Sequence, residues 1–168
     1  MKRFLPIIII LIVVLVSIIS TKTIALSNGE VEDKVQRINQ TENIVFVGDS
    51  IFDWYPIDKI FDDLPIVNSG IAGNKTTDIL NDMDNRIYRY NPTKVFIQIG
   101  TNDIEWDDSD ELNEQVYQNI VKIAEGVRQN RSKSEVFIVS IYPVNNNLPG
   151  ANDRHISEIK AINNKLKA

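Results

Sequence analysis

Ile44-Val45-Phe46-Val47, closed by Gly48-Asp49-Ser50, is the stretch that decides the fold. Four consecutive apolar residues without polar alternation predict a strand buried on both faces, and the glycine after them opens a turn. The pattern repeats downstream. Pro65-Ile66-Val67-Asn68 is a weaker run of the same kind, Val95 to Ile99 ends in Gly100, and Val136 to Ile141 ends in Tyr142-Pro143. Between the runs lie helical stretches. Ile79, Met83, Ile87 and Tyr90 recur at helical spacing, with Thr76 or Thr77 as the cap and Pro92 as the stop. Leu112, Val116, Ile120, Ile123 and Val127 mark a longer helix, and Ile156, Ile159, Ile162 and Leu166 mark a last one. Strands alternating with helices imply parallel pairing through crossovers, hence an α/β fold: a three-layer α/β/α sandwich around a parallel sheet.

Outward from this core, composition narrows the function. The chain has 168 residues, 43% hydrophobic and 24% charged, the profile of one folded domain of modest size. Net charge is -5, and of the 18 basic residues Lys2, Arg3 and Lys22 precede the first acid, Glu30. From residue 26 onward the body sets 15 basic against 23 acidic side chains, which argues against nucleic acid as a partner. With no cysteine there is no disulfide, thiol nucleophile or Cys-ligated zinc, and one histidine, His155, excludes a multi-histidine metal site. No metal or organic cofactor is expected.

Met1-Lys2-Arg3 leads into Phe4-Leu5-Pro6 and an apolar run from Ile7 to Ile19, interrupted by Ser17. Cations, an apolar stretch and the small residues of Thr23-Ile24-Ala25 make residues 1–25 a secretory signal, with cleavage after Ala25. An uncleaved anchor is the competing reading. As a helix, Phe4 to Ile19 would reach about 24 Å, short of the ~30 Å hydrocarbon core, which favours the signal. Both place the body outside the cytoplasm, with residues 4–19 as the one route to a membrane. Residues 26–42 form a polar lead-in, and 43–168 form the folded domain.

Ligands of an open parallel sheet bind beyond the carboxyl ends of its strands. Three such ends carry Gly48-Asp49-Ser50, then Asn68-Ser69-Gly70-Ile71-Ala72-Gly73-Asn74, then Gly100-Thr101-Asn102-Asp103. Each alone reads as an ordinary turn. Together they offer a serine at a first helical turn, a glycine loop able to aim an N–H, and an asparagine amide. Acyl transfer needs such a nucleophile and donor set.

Val47-Gly48-Asp49-Ser50, Asn68 to Gly73 and Ile99-Gly100-Thr101-Asn102-Asp103 resemble the first three blocks of the SGNH hydrolases, the GDSL-type esterases and lipases. The resemblance covers residues 43–168 and implies a flavodoxin-like sheet. It implies Ser50 as nucleophile, with the Gly73 N–H, the Asn102 side chain and the Ser50 N–H as oxyanion donors. Asp49 and Asp103 would shape turns. The implied substrate is a small acyl ester, such as an acetyl group on carbohydrate or a short-chain lipid.

The family also carries an Asp-x-x-His pair after a fifth strand, and this sequence contains none. In Asn152-Asp153-Arg154-His155 the aspartate precedes the histidine by two positions, so the base is unassigned and His155 is read as the start of the last helix. The corresponding expectation is a chain that stops before the last strand and its loop. A catalytically inactive surface module that binds acylated glycan or a protein is the alternative function.

Trp54 and Tyr55 either line an acyl or sugar pocket or pack the first helix. Asn74-Lys75-Thr76-Thr77 lacks the glycine that a phosphate loop places before its lysine. Asp107, Asp108, Asp110 and Glu111 read as a solvated helix start rather than a calcium loop. The sequence sets no oligomeric state.

Overall fold

The computed structural model describes residues 43–104, 109–143 and 156–167, all within the unit Thr41–Ala168. The segments 1–25 and 26–42, Asp107, Asp108, the loop 145–150, Asp153 and His155 lie outside the described residues. Among the described residues no helix is long and apolar enough to cross a membrane.

Four parallel strands form the sheet: β1 (Asn43–Gly48), β2 (Ile66–Gly70), β3 (Pro92–Gln98) and β4 (Glu135–Ile138), in the order β2-β1-β3-β4. Their connections carry α1 (Ser50–Trp54), α2 (Ile57–Ile60), α3 (Thr76–Asn81), α4 (Met83–Arg86), a 3-10 turn (Tyr88–Tyr90), α5 (Asp110–Asn130) and α6 (Ile156–Leu166). The chain leaves β1 toward β2 on one side and returns to β3 on the other. The switch in strand order therefore falls between β1 and β3, and a crevice opens at their carboxyl ends.

In β1 the face of Val45 and Val47 is fully buried and the face of Ile44 and Phe46 is not, which corrects the expectation of a first strand buried on both faces. Val45 and Val47 of β1 and Val95 and Ile97 of β3 share a core with Ile79, with Val116, Ile120, Ile123 and Val127 of α5, and with Ile159 and Ile162 of α6. The expected stripes on the two longer helices thus supply the core. On the opposite face Phe46, Phe96 and Phe137 stand in register across three strands. Their rings stack at 4.6 and 4.7 Å, and Phe52 of α1 meets Phe46 edge-on at 5.3 Å. Such pairs contribute about 0.5–1.5 kcal/mol each beyond their burial. The layer on this face is thin, so Phe137 of the edge strand β4 remains partly exposed, and Ile138, on the helical-core face beside Ile97, is partly exposed as well.

Several boundaries differ from the periodicity. β2 runs on to Gly70, while β4 stops at Ile138 with Val139 still donating to the Ile97 carbonyl (2.8 Å). Beyond it, the Asn163 amide of α6 takes both backbone groups of Ile141 (2.9 and 2.8 Å), as a neighbouring strand would. The helix expected from Ile79 to Tyr90 is broken at Asp82, whose φ of -138° and ψ of 35° leave the helical region and separate α3 from α4. Its stop is Asn91, in the left-handed region at φ 46°, and Pro92 instead begins β3. Neither threonine is the cap. Lys75 holds that position, with its N–H donating to the Asp78 carboxylate (2.7 Å), and Thr76 is the first helical residue.

Candidate active site

Ser50 is the first residue of α1, directly beyond β1, and is half-buried. Asp49 makes this turn. Its side chain is fully buried, and one oxygen accepts the Ile51 N–H (2.9 Å) while its carbonyl accepts from Asp53 (3.1 Å). A five-residue helix has little stability of its own. Asn68 of β2 holds the other end, where its amide donates to the Phe52 carbonyl (2.7 Å) and its oxygen accepts the Gly70 N–H (3.0 Å). Gly70 lets β2 come this close: a Cβ there would lie 2.3 Å from the Asp53 nitrogen.

The loop after β2 is tied to this turn twice. Ile71 donates to the Gly48 carbonyl (3.1 Å), and Ala72 donates to the Asp53 carboxylate (2.9 Å). Gly73 follows in the left-handed region at φ 80°, where a side chain would add strain. It is exposed, and the turn closes through Asn74, which donates to the Ile71 carbonyl (3.2 Å). From the far side of the crevice comes Asn102, buried beyond the end of β3, whose amide donates to the Asn74 carbonyl (2.9 Å). The three sequence blocks that carry Ser50, Gly73 and Asn102 therefore converge at the switch point, bonded block to block.

Asp103, next to Asn102, anchors that third block. Its carboxylate accepts the Thr76 N–H (3.1 Å) and hydroxyl (2.6 Å), and the Thr76 oxygen accepts from buried Asn119 of α5 (2.9 Å). Burial pushes the Asp103 carboxyl above its usual range, and the Thr76 hydrogen bonds pull against that shift. Asp49 and Asp103 thus shape turns, as the resemblance implied.

The sequence reading missed Arg86. It is 6% exposed, and its guanidinium reaches the Gly48 carbonyl (3.2 Å), both oxygens of Ser69 and the side-chain oxygen of Asn74. The signal was present in the sequence. Arg86 falls beside Ile87 on the apolar side of the Ile79–Met83–Ile87 stripe, where a cation costs desolvation unless it is fully bonded.

Trp54 and Tyr55 do not pack beneath the first helix. Phe52 does so, while Trp54, the last residue of the helix that carries Ser50, is 77% exposed and Tyr55, just after it, 51%. Asp110 and Glu111 form the first turn of α5 behind the Ser109 cap, as read. A cavity of about 290 Å³ lies between Pro92 and Ser134, at the opposite end of β3 from Asn102, and contains none of the expected site residues.

A family model, the GDSL-like Lipase/Acylhydrolase family, matches residues 46–168. Among solved structures, the chain is similar to one described as a candidate platelet activating factor from Streptococcus pneumonia. The identity is 27% and the TM-score 0.65, covering 88% of this chain and 74% of that one. A GDSL-like lipase from Bacteroides thetaiotaomicron is 22% identical with a TM-score of 0.64, over 75% of this chain and 62% of that one. A catalytic mutant of an acetylxylan esterase from Geobacillus stearothermophilus is 19% identical with a TM-score of 0.51, over 76% and 74%. At these lower identities the likeness is one of fold. Among curated proteins, an N-acylneuraminate cytidylyltransferase from Escherichia coli is 26% identical over 118 residues, 70% of this chain. The chain spans about a quarter of that relative's length, 27%.

Proposed function

This chain belongs to the GDSL-like lipase/acylhydrolase family, and we propose that it is an exported serine hydrolase that cleaves small acyl esters at Ser50. Acetyl groups on carbohydrate and short-chain lipid esters are the substrates in view. The observation that carries this reading is the convergence of the Ser50 turn, the Gly73 loop and the Asn102 amide at one crevice.

The chemistry follows from those groups. The Ser50 hydroxyl oxygen attacks the ester carbonyl carbon, its proton passes to a base, and the carbonyl oxygen takes up the negative charge. The Ser50 N–H is spared at the start of a helix. With the Gly73 N–H and the Asn102 amide it makes three donors for that oxyanion, fixed before the reaction and so needing no reorganisation. Collapse expels the alcohol, which takes up the proton, and leaves an acyl-Ser50. Water then attacks the acyl carbon, releasing the acid and restoring the serine. His155 is the chain's single imidazole. Trp54 and Tyr55, exposed beside Ser50, would meet the acyl or alcohol portion of the substrate.

Export is supported by the acid-free start, with Lys2 and Arg3 ahead of the Phe4–Ile19 run. Fractionation of cells expressing the full chain tests it, and a soluble full-length cytoplasmic product would contradict it. The second reading is an inactive module that binds an acylated glycan or a protein. Turnover of 4-nitrophenyl acetate by the full chain separates the two. The hydrolase reading expects turnover that Ser50→Ala abolishes. An inert wild-type chain, or an undiminished Ser50→Ala variant, would discard it.

A further inference from the structure

We infer that Arg86 is a positioning residue that sets the geometry of the oxyanion hole: one buried guanidinium bonds two of the three segments of the crevice directly and reaches the third through Asn74. The inference rests on the hydrolase reading above. Nε donates to the Ser69 hydroxyl (3.1 Å), one terminal nitrogen donates to the Asn74 side-chain oxygen, and the other donates to the Gly48 carbonyl (3.2 Å) and the Ser69 carbonyl. Gly48 stands two residues before Ser50. Asn74 follows Gly73, and its carbonyl holds the Asn102 amide. Each proposed oxyanion donor is therefore one or two short links from the same planar group.

The character of these acceptors separates the arrangement from an ordinary ion pair. Every hydrogen-bond partner of the guanidinium among the described residues is uncharged. Asp78 and Asp82 bear on it only through space, and burial outweighs them, drawing its pKa below the usual arginine range. A cation kept at this desolvation cost with neutral acceptors is favoured for its geometry, because a rigid fork of donors fixes directions that a lysine ammonium cannot. Arg86 sits just beyond the break at Asp82. Asp82 accepts from the Asn85 amide (2.6 Å) and ends α3, so that α4 starts afresh and delivers Arg86 at its last position.

The test is steady-state kinetics on 4-nitrophenyl acetate with the full chain, well below the melting temperature of each variant. Arg86→Lys keeps a charge but not the fork. The expected result is a fall in kcat of ~10–100-fold, the scale of a sub-ångström to 1 Å misplacement, with KM within about threefold. Asn74→Ala removes a single acceptor from a half-buried surface position and serves if Arg86→Lys does not fold. It should lose kcat in the same way, and the double variant should lose little more than either single one, since both cut the same link. Unchanged kcat in Asn74→Ala, or fully additive losses, would overturn the inference while Ser50→Ala still abolished turnover. Turnover surviving in Ser50→Ala would overturn the hydrolase reading, and the inference with it.

Discussion

Gly70→Ala adds one methyl group at the point where β2 meets the helix that carries Ser50. The new Cβ would stand 2.3 Å from the Asp53 nitrogen, 2.7 Å from the Phe52 carbonyl carbon and 2.9 Å from the Asp53 Cα. All three are backbone atoms, so no rotamer change relieves the overlap. Ordinary contact begins near 3.4 Å, which obliges α1 to retreat from β2 by about 1 Å. The retreat stretches the bond from Asn68 to the Phe52 carbonyl (2.7 Å) and that from Ala72 to the Asp53 carboxylate (2.9 Å). Overpacking of this kind costs about 1–3 kcal/mol. For a folded domain between about 100 and 150 residues, as 43–168 is, ~3–6 °C per kcal/mol applies, and thermal unfolding should come roughly 3–18 °C lower. Because Ser50 moves while Asn102 does not, turnover of folded protein should fall by up to ~10²-fold. Gly126→Ala is the control. The nearest atoms to its Cβ would be side-chain ends rather than backbone, those of Met83 and Tyr88 at 3.0 Å, so both stability and turnover should stay near wild type. A Gly70→Ala variant with melting temperature within about 1 °C and turnover within twofold of wild type would refute the close approach of β2 to α1 as the device that places Ser50.

Asn102→Ala should lower kcat by ~10²–10³ with little change in KM, the usual loss for one oxyanion donor, and retention of most turnover would remove Asn102 from the hole. Asp103 has its carboxyl pKa raised in the fold, so folding takes up a proton between the ordinary carboxylate pKa and the raised one. Stability from this group is therefore present at low pH and lost as pH rises through that window. Urea midpoints measured against pH should fall across it in wild type and flatten in Asp103→Asn, whereas parallel curves would contradict the shift. Gln98 is fully buried, and neither polar atom of its amide has a partner among the described residues. Gln98→Leu should then raise stability by about 1 kcal/mol in urea unfolding, and a loss of that size would mean the amide is bonded after all.

How far the sequence could be read depended on whether a residue's surroundings are local. β1 was legible because its apolar run and terminal glycine lie within seven residues, and the stripes of α5 and α6 were legible because a helix repeats its own face. The crevice was legible as three strand ends, each carrying turn residues. The break at Asp82 was not, since Ile79, Met83 and Ile87 keep helical spacing across it. Nor were the partners of Arg86, whose acceptors stand 12 to 38 residues away in Asn74, Ser69 and Gly48. Thr76 was misread as a cap for a similar reason: its hydroxyl answers to Asp103 and Asn119, 27 and 43 positions on. Periodicity also could not separate the two sheet faces, because Phe46 and Val47 look alike as a run while only one of them meets the helical core.

Covalent capture tests the central claim most directly. The full chain, treated with a fluorophosphonate and digested, is read by peptide mass spectrometry. The account predicts one stoichiometric adduct, on Ser50, that is absent from Ser50→Ala together with esterase turnover. Labelling of a different residue, or ester hydrolysis that persists in Ser50→Ala, would contradict it.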